Sequence, residues 1–181
     1  ARYNFLDIFV RVLVVNTNMK TEVLNEKQIL RICNRFAFQI IENLSENEDI
    51  FLVGIKENGF EIAKIIMNEI EKISDKKVLL NYIKIDKKDP KNNLSSDIKK
   101  DNNFNNIFLI DDVLNTGKTL IYSITFLLKL NIKSIKTLVL IDRNHKEYPV
   151  KIDFKGISLS TNIDDNVKVI RDKKNLKAII F

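Results

Sequence analysis

The stretch from residue 107 to residue 120 constrains the chain most: Ile-Phe-Leu-Ile-Asp-Asp-Val-Leu-Asn-Thr-Gly-Lys-Thr-Leu. Ile107 to Ile110 read as a buried strand, with Asp111 and Asp112 at its end. A loop of small and polar residues, Asn115 to Thr119, leads into an apolar helical run from Leu120 to Leu130. A short apolar strand, a loop and an amphipathic helix make a parallel α/β unit. The loop where such a strand hands over to its helix is where open α/β sheets bind ligands.

Each residue type in the loop suits a phosphate. A helix N-terminus offers unpaired N–H groups and a partial positive charge. Gly117 removes a Cβ from the approach, while Thr116, Thr119 and the Lys118 amide add donors. Two carboxylates beside a phosphate repel it, so Asp111 and Asp112 must hold something neutral or cationic, such as sugar hydroxyls or a metal-bound group. A phosphate followed by a polyol describes a ribose 5-phosphate. The competing motif is the nucleotide-binding loop G-x-x-x-x-G-K-[ST], but its first glycine falls on Asp112 here. The bland alternative is a strand–turn–helix with an exposed acidic turn.

At these residues the chain resembles the type I phosphoribosyltransferases, whose signature is an apolar strand, two acids, two apolar residues, a variable residue and Thr-Gly-x-Thr. Residues 107–119 match it without a gap. The resemblance implies a mostly parallel five-stranded sheet flanked by helices, with a small C-terminal hood. It implies binding of 5-phosphoribosyl-1-pyrophosphate along Val113, Leu114, Asn115, Thr116, Gly117, Lys118 and Thr119. Asp111 and Asp112 become the catalytic pair on the ribose hydroxyls. Mg²⁺ is expected on the substrate rather than on a direct protein ligand, and a homodimer or higher homo-oligomer is expected from the family.

Composition sets wider bounds. The 181 residues are one domain's worth of sequence, with 45% apolar and 30% charged residues. No apolar run approaches the roughly 18 residues that span a membrane. A single cysteine, Cys33, excludes a disulfide framework and fits a reducing cytoplasm; among Ile29, Leu30, Ile32 and Phe36 it reads as a small buried hydrophobe. The net charge of +6 permits an anionic partner, yet lysine, isoleucine and asparagine crowd the whole length rather than one patch. The four glycines, Gly54, Gly59, Gly117 and Gly156, are expected near functional loops.

Residues 1–18 are expected to be an extension outside the catalytic fold, because Met19 is followed by what looks like a protein start. The domain is therefore placed at 19–181. Asn25 with Gln28 forms a capping box, and Ile29 to Leu44 follow helical spacing. Lys27, Arg31 and Arg35 recur at i, i+4 on the other face, a solvated stripe or an RNA-phosphate contact.

Ile50 to Ile55 reads as a strand running into Gly54-Ile55-Lys56-Glu57-Asn58-Gly59, and Phe60 to Ile73 as a helix. In the resembled family this is the pyrophosphate loop, which usually reads Lys-Thr-Arg-Gly. Here Lys56-Glu57-Asn58-Gly59 lacks the arginine, a bidentate phosphate donor, and Glu57 adds negative charge. Val78 to Ile85 is a further strand. Residues 86–105 carry no periodicity and are expected to be a structureless lid, with Lys87 or Lys88 supplying positive charge without an arginine's fork.

Ile135 to Ile141 and Val150 to Ile157 read as strands, and Val167 to Ile170 with Leu176 to Ile180 as a closing hairpin. Leu140-Ile141-Asp142-Arg143-x-His145-Lys146-Glu147-x-Pro149, then Asp153-Phe154-x-Gly156, is similar to one branch: pyrimidine-operon attenuation regulators with uracil phosphoribosyltransferase activity. That likeness runs from about Leu24 to the C-terminus. It implies uracil as the nucleobase, Asp142 and Arg143 near the base, and His145 with an RNA contact. Two alternatives stay open: a non-catalytic RNA- or nucleotide-binding regulator on the same fold, and a phosphoribosyltransferase for a 6-oxopurine.

Overall fold

The structure is a computed structural model that describes residues 20–86, 89, 93–99, 104–162, 165–172 and 175–181. The 1–18 extension, Met19, Lys87 and Lys88 lie outside them. Nine strands and three helices follow in chain order among the described residues. These are β1 (Thr21–Leu24), α1 (Glu26–Glu42), β2 (Ile50–Ile55), α2 (Asn58–Glu71), β3 (Val78–Ile85), β4 (Leu94–Ser96) and β5 (Phe104–Leu114). Then come α3 (Lys118–Leu127), β6 (Ile132–Asp142), β7 (Phe154–Ser158), β8 (Val167–Asp172) and β9 (Asn175–Ile180).

The main sheet has the order β4-β3-β2-β5-β6-β7. Its β3, β2, β5, β6 and β7 are parallel, the five strands expected, and β4 adds an antiparallel edge. The expectation of a structureless 86–105 segment is corrected here. Ser96 pairs with Ile83 and Leu94 with Ile85, so residues 94–96 extend the sheet. Three residues of pairing are too few to leave a periodic signal in the sequence.

Helices cover both faces. Asn25 caps α1 through the Gln28 amide, and the Gln28 side chain returns to the Asn25 N–H, as the capping box predicts. Ile29, Ile32, Cys33, Phe36, Ala37 and Ile40 bury one stripe of α1. With α2 they pack on one face of the sheet, against Leu52, Phe108, Ile110, Leu138 and Leu140. The opposite face packs Phe51, Val53, Ile107, Leu109 and Val139 under Leu120 and Leu127 of α3. Alternate residues of one strand thus feed two cores, and continuous apolar runs such as Ile107–Ile110 result. Burial pushes the Cys33 thiol up to about 12, with Glu69 adding to it, so it is an inert core residue.

The hood is a separate antiparallel sheet, β1-β9-β8. The β8–β9 hairpin was predicted; β1, from the other end of the chain, completes it by pairing Thr21 with Ile180. Two other boundaries move. Residues 150–153 form no strand, since β7 begins at Phe154, and Gly156 sits inside β7 rather than beside a functional loop. Helix α2 ends at Glu71, leaving Ile73 outside its apolar face and 37% exposed.

Asp153 locks the turn before β7. Its carboxylate accepts from Thr137 N (2.9 Å), and its own N–H donates to Thr137 Oγ1 (3.2 Å). Burial raises its pKa, but the Thr137 N–H and the Lys151 ammonium outweigh that and hold it below the usual carboxylate range. A lowered folded pKa stabilises above the unfolded value and is lost as pH falls through the folded one. Asp153→Ala is therefore expected to cost about 1–2 kcal/mol at neutral pH, read by urea unfolding. The gap to wild type should narrow below about pH 4.

Candidate functional site

Strand β5 has partners on both edges only as far as Ile110. On one side its pairing with β2 ends at Gly54↔Ile110, while on the other it continues along β6 to Leu114↔Asp142. From Asp111 onward one edge is open, and β2 has turned away into residues 56–58. The gap is a cleft of about 280 Å³ lined by Ile55, Lys56, Glu57 and residues 111–120. The two predicted loops thus face each other across one opening. The acids belong to the strand itself rather than to a loop beyond it.

Glycine lets the walls come close. A Cβ on Gly59 would lie 2.6 Å from Ile110 O and 3.0 Å from Asp111 Cα, so the start of α2 rests directly on the acidic pair. Gly117 has φ +87°, and a Cβ there would meet Val150 Cγ2 at 2.8 Å. Its glycine is required by its own left-handed backbone and by the 148–150 segment behind it, not only by an approaching ligand. As N-cap of α3 it supplies no capping side chain; Thr116 Oγ1 takes the Lys118 N–H, and the N–H groups that follow in the first turn can meet an anion. Thr116 Oγ1 accepts from Lys118 N (3.2 Å), and Thr116 O accepts from the Glu147 and Tyr148 amides (2.9 and 3.0 Å).

The acids are held differently. Asp112 N donates to Asp111 Oδ1 (2.9 Å). Asp112 Oδ2 accepts from Asn58 Nδ2 (2.7 Å), which also donates to Val169 O of the hood (2.9 Å). Asn58 therefore joins α2, β5 and β8, and both of its amide protons have an acceptor. No local pattern announces this contact, because Val169 is 111 residues from Asn58.

Asp142, Arg143 and His145 come together below the loop, but on internal partners. The buried Asp142 carboxylate accepts from Lys146 Nζ (3.0 Å) and Asn144 N (3.0 Å). Arg143, 4% exposed, donates to Thr161 Oγ1 from Nε (3.1 Å) and from Nη2 (2.9 Å), and to Asn162 O and Asn115 Oδ1 (both 3.2 Å). His145 Nε2 lies 2.8 Å from Thr161 O and so donates to it. Arg143 ties the phosphate-type loop to residues 161–162 before the hood, and His145 adds a second hold on Thr161. Thr161 and Asn162 were not found by sequence reasoning, and hydroxyl or carbonyl acceptors in a polar linker leave no signal there.

On α1 the Lys27, Arg31 and Arg35 stripe is exposed. Arg35 Nη2 nevertheless donates to Lys155 O (2.8 Å) and Gly156 O (2.9 Å). Asn34 donates to Glu69 (2.9 Å) on α2. Among the described residues no group of three His, Cys, Asp or Glu side chains is arranged to hold a metal ion, and no helix is long and apolar enough to cross a membrane.

Residues 19–172 match the phosphoribosyl transferase domain family. The bifunctional protein PyrR of Clostridium botulinum (strain Alaska E43 / Type E3) is 35% identical over 162 residues, covering 84% of this chain and 89% of that one. The bifunctional protein PyrR of Macrococcus caseolyticus is 32% identical, covering 90% and 98%. Among solved structures, a hypoxanthine-guanine phosphoribosyltransferase from Bacillus anthracis aligns with a TM-score of 0.72 at 17% identity, over 90% of this chain and 99% of that chain. The hypoxanthine phosphoribosyltransferase of Trypanosoma cruzi gives 0.66 at 15% identity, over 87% and 95%. At such identities these two speak for the fold alone.

Replacing Gly117 by alanine is expected to lower stability by about 1–2 kcal/mol, the cost of a Cβ in a left-handed backbone. A denaturant midpoint that does not move would contradict this account of the loop.

Proposed function

The chain belongs to the phosphoribosyltransferase family, in the branch of the bifunctional PyrR proteins, and from that premise we propose that it converts uracil and 5-phosphoribosyl-1-pyrophosphate to UMP and pyrophosphate. The observation that carries the reading is the single cleft in which residues 111–119 face Lys56 and Glu57.

A ring nitrogen of uracil attacks C1 of the ribose as the C1–O bond to pyrophosphate breaks, and the proton on that nitrogen passes to the released pyrophosphate or to water. Positive charge grows on the sugar in the transition state. Asp111 and Asp112 orient the ribose hydroxyls and stabilise that charge, and a preorganised carboxylate does so without reorganising. The Asn58 amide keeps Asp112 in one orientation. Thr116, Gly117, Lys118 and Thr119 hold the 5-phosphate at the start of α3. Arg143 and His145 shape the base side by fixing residues 161–162, and Asp142 holds Lys146 beside them.

Mg²⁺ suits this site as part of the substrate. It would enter on the substrate's own oxygens, with the carboxylates of Asp111, Asp112 and Glu57 lining the cleft as hard, anionic neighbours. When bound it neutralises the leaving pyrophosphate.

A second reading, regulation through an RNA contact, is favoured by the exposed Lys27 and Arg31 on α1. Each lysine or arginine that meets a phosphate should contribute about one unit to the salt slope of binding. RNA binding whose slope is unchanged in the Lys27→Ala/Arg31→Ala variant would remove that stripe from the interface. The assembly proposed with the activity is a homodimer or higher homo-oligomer, tested by light scattering of the eluting protein.

Product formation from phosphoribosyl pyrophosphate and Mg²⁺, with uracil, hypoxanthine, guanine and xanthine offered separately, tests the activity. UMP is the expected product, and turnover of a purine alone would overturn the choice of base. Asp112→Asn is expected to cut turnover at least about tenfold, as loss of one electrostatic group does. Near-normal turnover would remove Asp112 from the mechanism.

A further inference from the structure

We propose that Tyr82 is a positioning residue that presents the Lys56 ammonium to the pyrophosphate of the substrate. The inference rests on the function proposed above and concerns how a loop without its arginine still grips an anion.

The Lys56–Gly59 loop has two candidate donors of side-chain hydrogen bonds, Lys56 and Asn58. Asn58 is committed, since its Nδ2 donates both to Asp112 and to Val169 O. Lys56 is therefore the side-chain donor that the loop has left for an anion. Its Nζ sits 3.3 Å from the centroid of the Tyr82 ring and 5.7 Å from that of Phe60. An ammonium over an aromatic face is attracted by the ring quadrupole. The ring covers one side of the nitrogen and leaves the other N–H donors for phosphate oxygens.

The platform is itself fixed. Tyr82 lies in β3 opposite Gly54 of β2. Its N–H donates to Asp97 Oδ1 (2.8 Å), and its carbonyl accepts from Ser96 Oγ (2.7 Å), so the β4 segment braces it from one edge. Phe60, in the first turn of α2, packs edge-on at 5.8 Å and 75°. Lys64, the other cation on Phe60, is ion-paired with Glu61 at 2.8 Å.

Lys56 stands where two spaces meet. It lines the cleft of residues 111–120, and also a larger cavity of about 700 Å³ bounded by Glu57, Lys84, Asp86, Asn93 and Ser95. An ammonium held at that junction can contact a diphosphate whose sugar lies over the acids. Holding the long side chain there in advance lowers the ordering cost that binding would otherwise carry.

The test uses the full chain, with inorganic pyrophosphate and phosphoribosyl pyrophosphate as probes, each with Mg²⁺, in calorimetry and steady-state kinetics. Tyr82→Phe keeps the ring and should bind both within about twofold of wild type. Tyr82→Leu should weaken both and raise the KM for phosphoribosyl pyrophosphate by about three- to tenfold, with a smaller change in kcat. In a Lys56→Met background the leucine substitution should add nothing. Tyr82→Met is the alternative ringless variant if circular dichroism finds the leucine protein unfolded.

Unchanged binding in the ringless variant would overturn the inference. So would tighter binding, which would mean that the ring sequesters Lys56. A phenylalanine variant as weak as the leucine one, or an undiminished effect without Lys56, would overturn it too. A wild-type protein that binds neither probe would overturn the proposed function first and this inference with it, whereas normal wild-type binding with an indifferent Tyr82 would overturn the inference alone.

Discussion

Everything at the site depends on β5 losing one neighbour while keeping the other. From Ile107 to Ile110 the strand is hydrogen-bonded on both edges, and its side chains are sealed into two cores. One residue later β2 turns away, and the pairing with β6 alone carries the backbone on to Leu114. The carboxylates fall at the first positions where the strand is rigid and one edge is open. A carboxylate deeper in the sheet would be buried without solvent or partner, at a high desolvation cost. One in a free loop would not be held in place.

Around that opening the protein uses polar side chains as ties rather than as free reagents. Asn58 joins the second acid to the hood, Arg143 joins the 115–119 loop to residues 161–162, and Asp142 is neutralised in place by Lys146. The Asn58 tie crosses between elements that share no backbone ladder at that point, while Lys146 reaches Asp142 within four residues of chain. Buried hydrogen bonds with fully matched donors and acceptors set relative positions well, because a slip leaves an unsatisfied group. The hood, a small sheet in which β1 joins the β8–β9 hairpin, is thereby registered to β5.

Similarity to the PyrR proteins and the geometry of the cleft pull together at residues 107–119 and apart at residues 56–58. At the first stretch the signature is complete. At the second, Asn58 stands where the resembled sequences carry arginine, and its amide has been turned inward to Asp112. An asparagine cannot reach as far as an arginine, but it can satisfy a carboxylate and a carbonyl at once, since it has two amide protons in one plane. Lys56 and its aromatic platform lie on the side that this exchange leaves to be filled.

The sequence by itself determined the parallel α/β core, the position of the acidic pair and the phosphate-type loop. Strands buried on both faces read as unbroken apolar runs, helices as 3.6-residue stripes, and a ligand loop as a local string of residues, so each is written in consecutive letters. Only the tertiary structure decided what those letters meet. It set β4 on the edge of a segment without periodicity, brought β1 to the hood, and gave Arg143 and His145 to Thr161 rather than to an open pocket. It also set Tyr82 beneath Lys56. Those contacts are decided by strand order and register, which bring together residues far apart in the chain, and no local propensity records them.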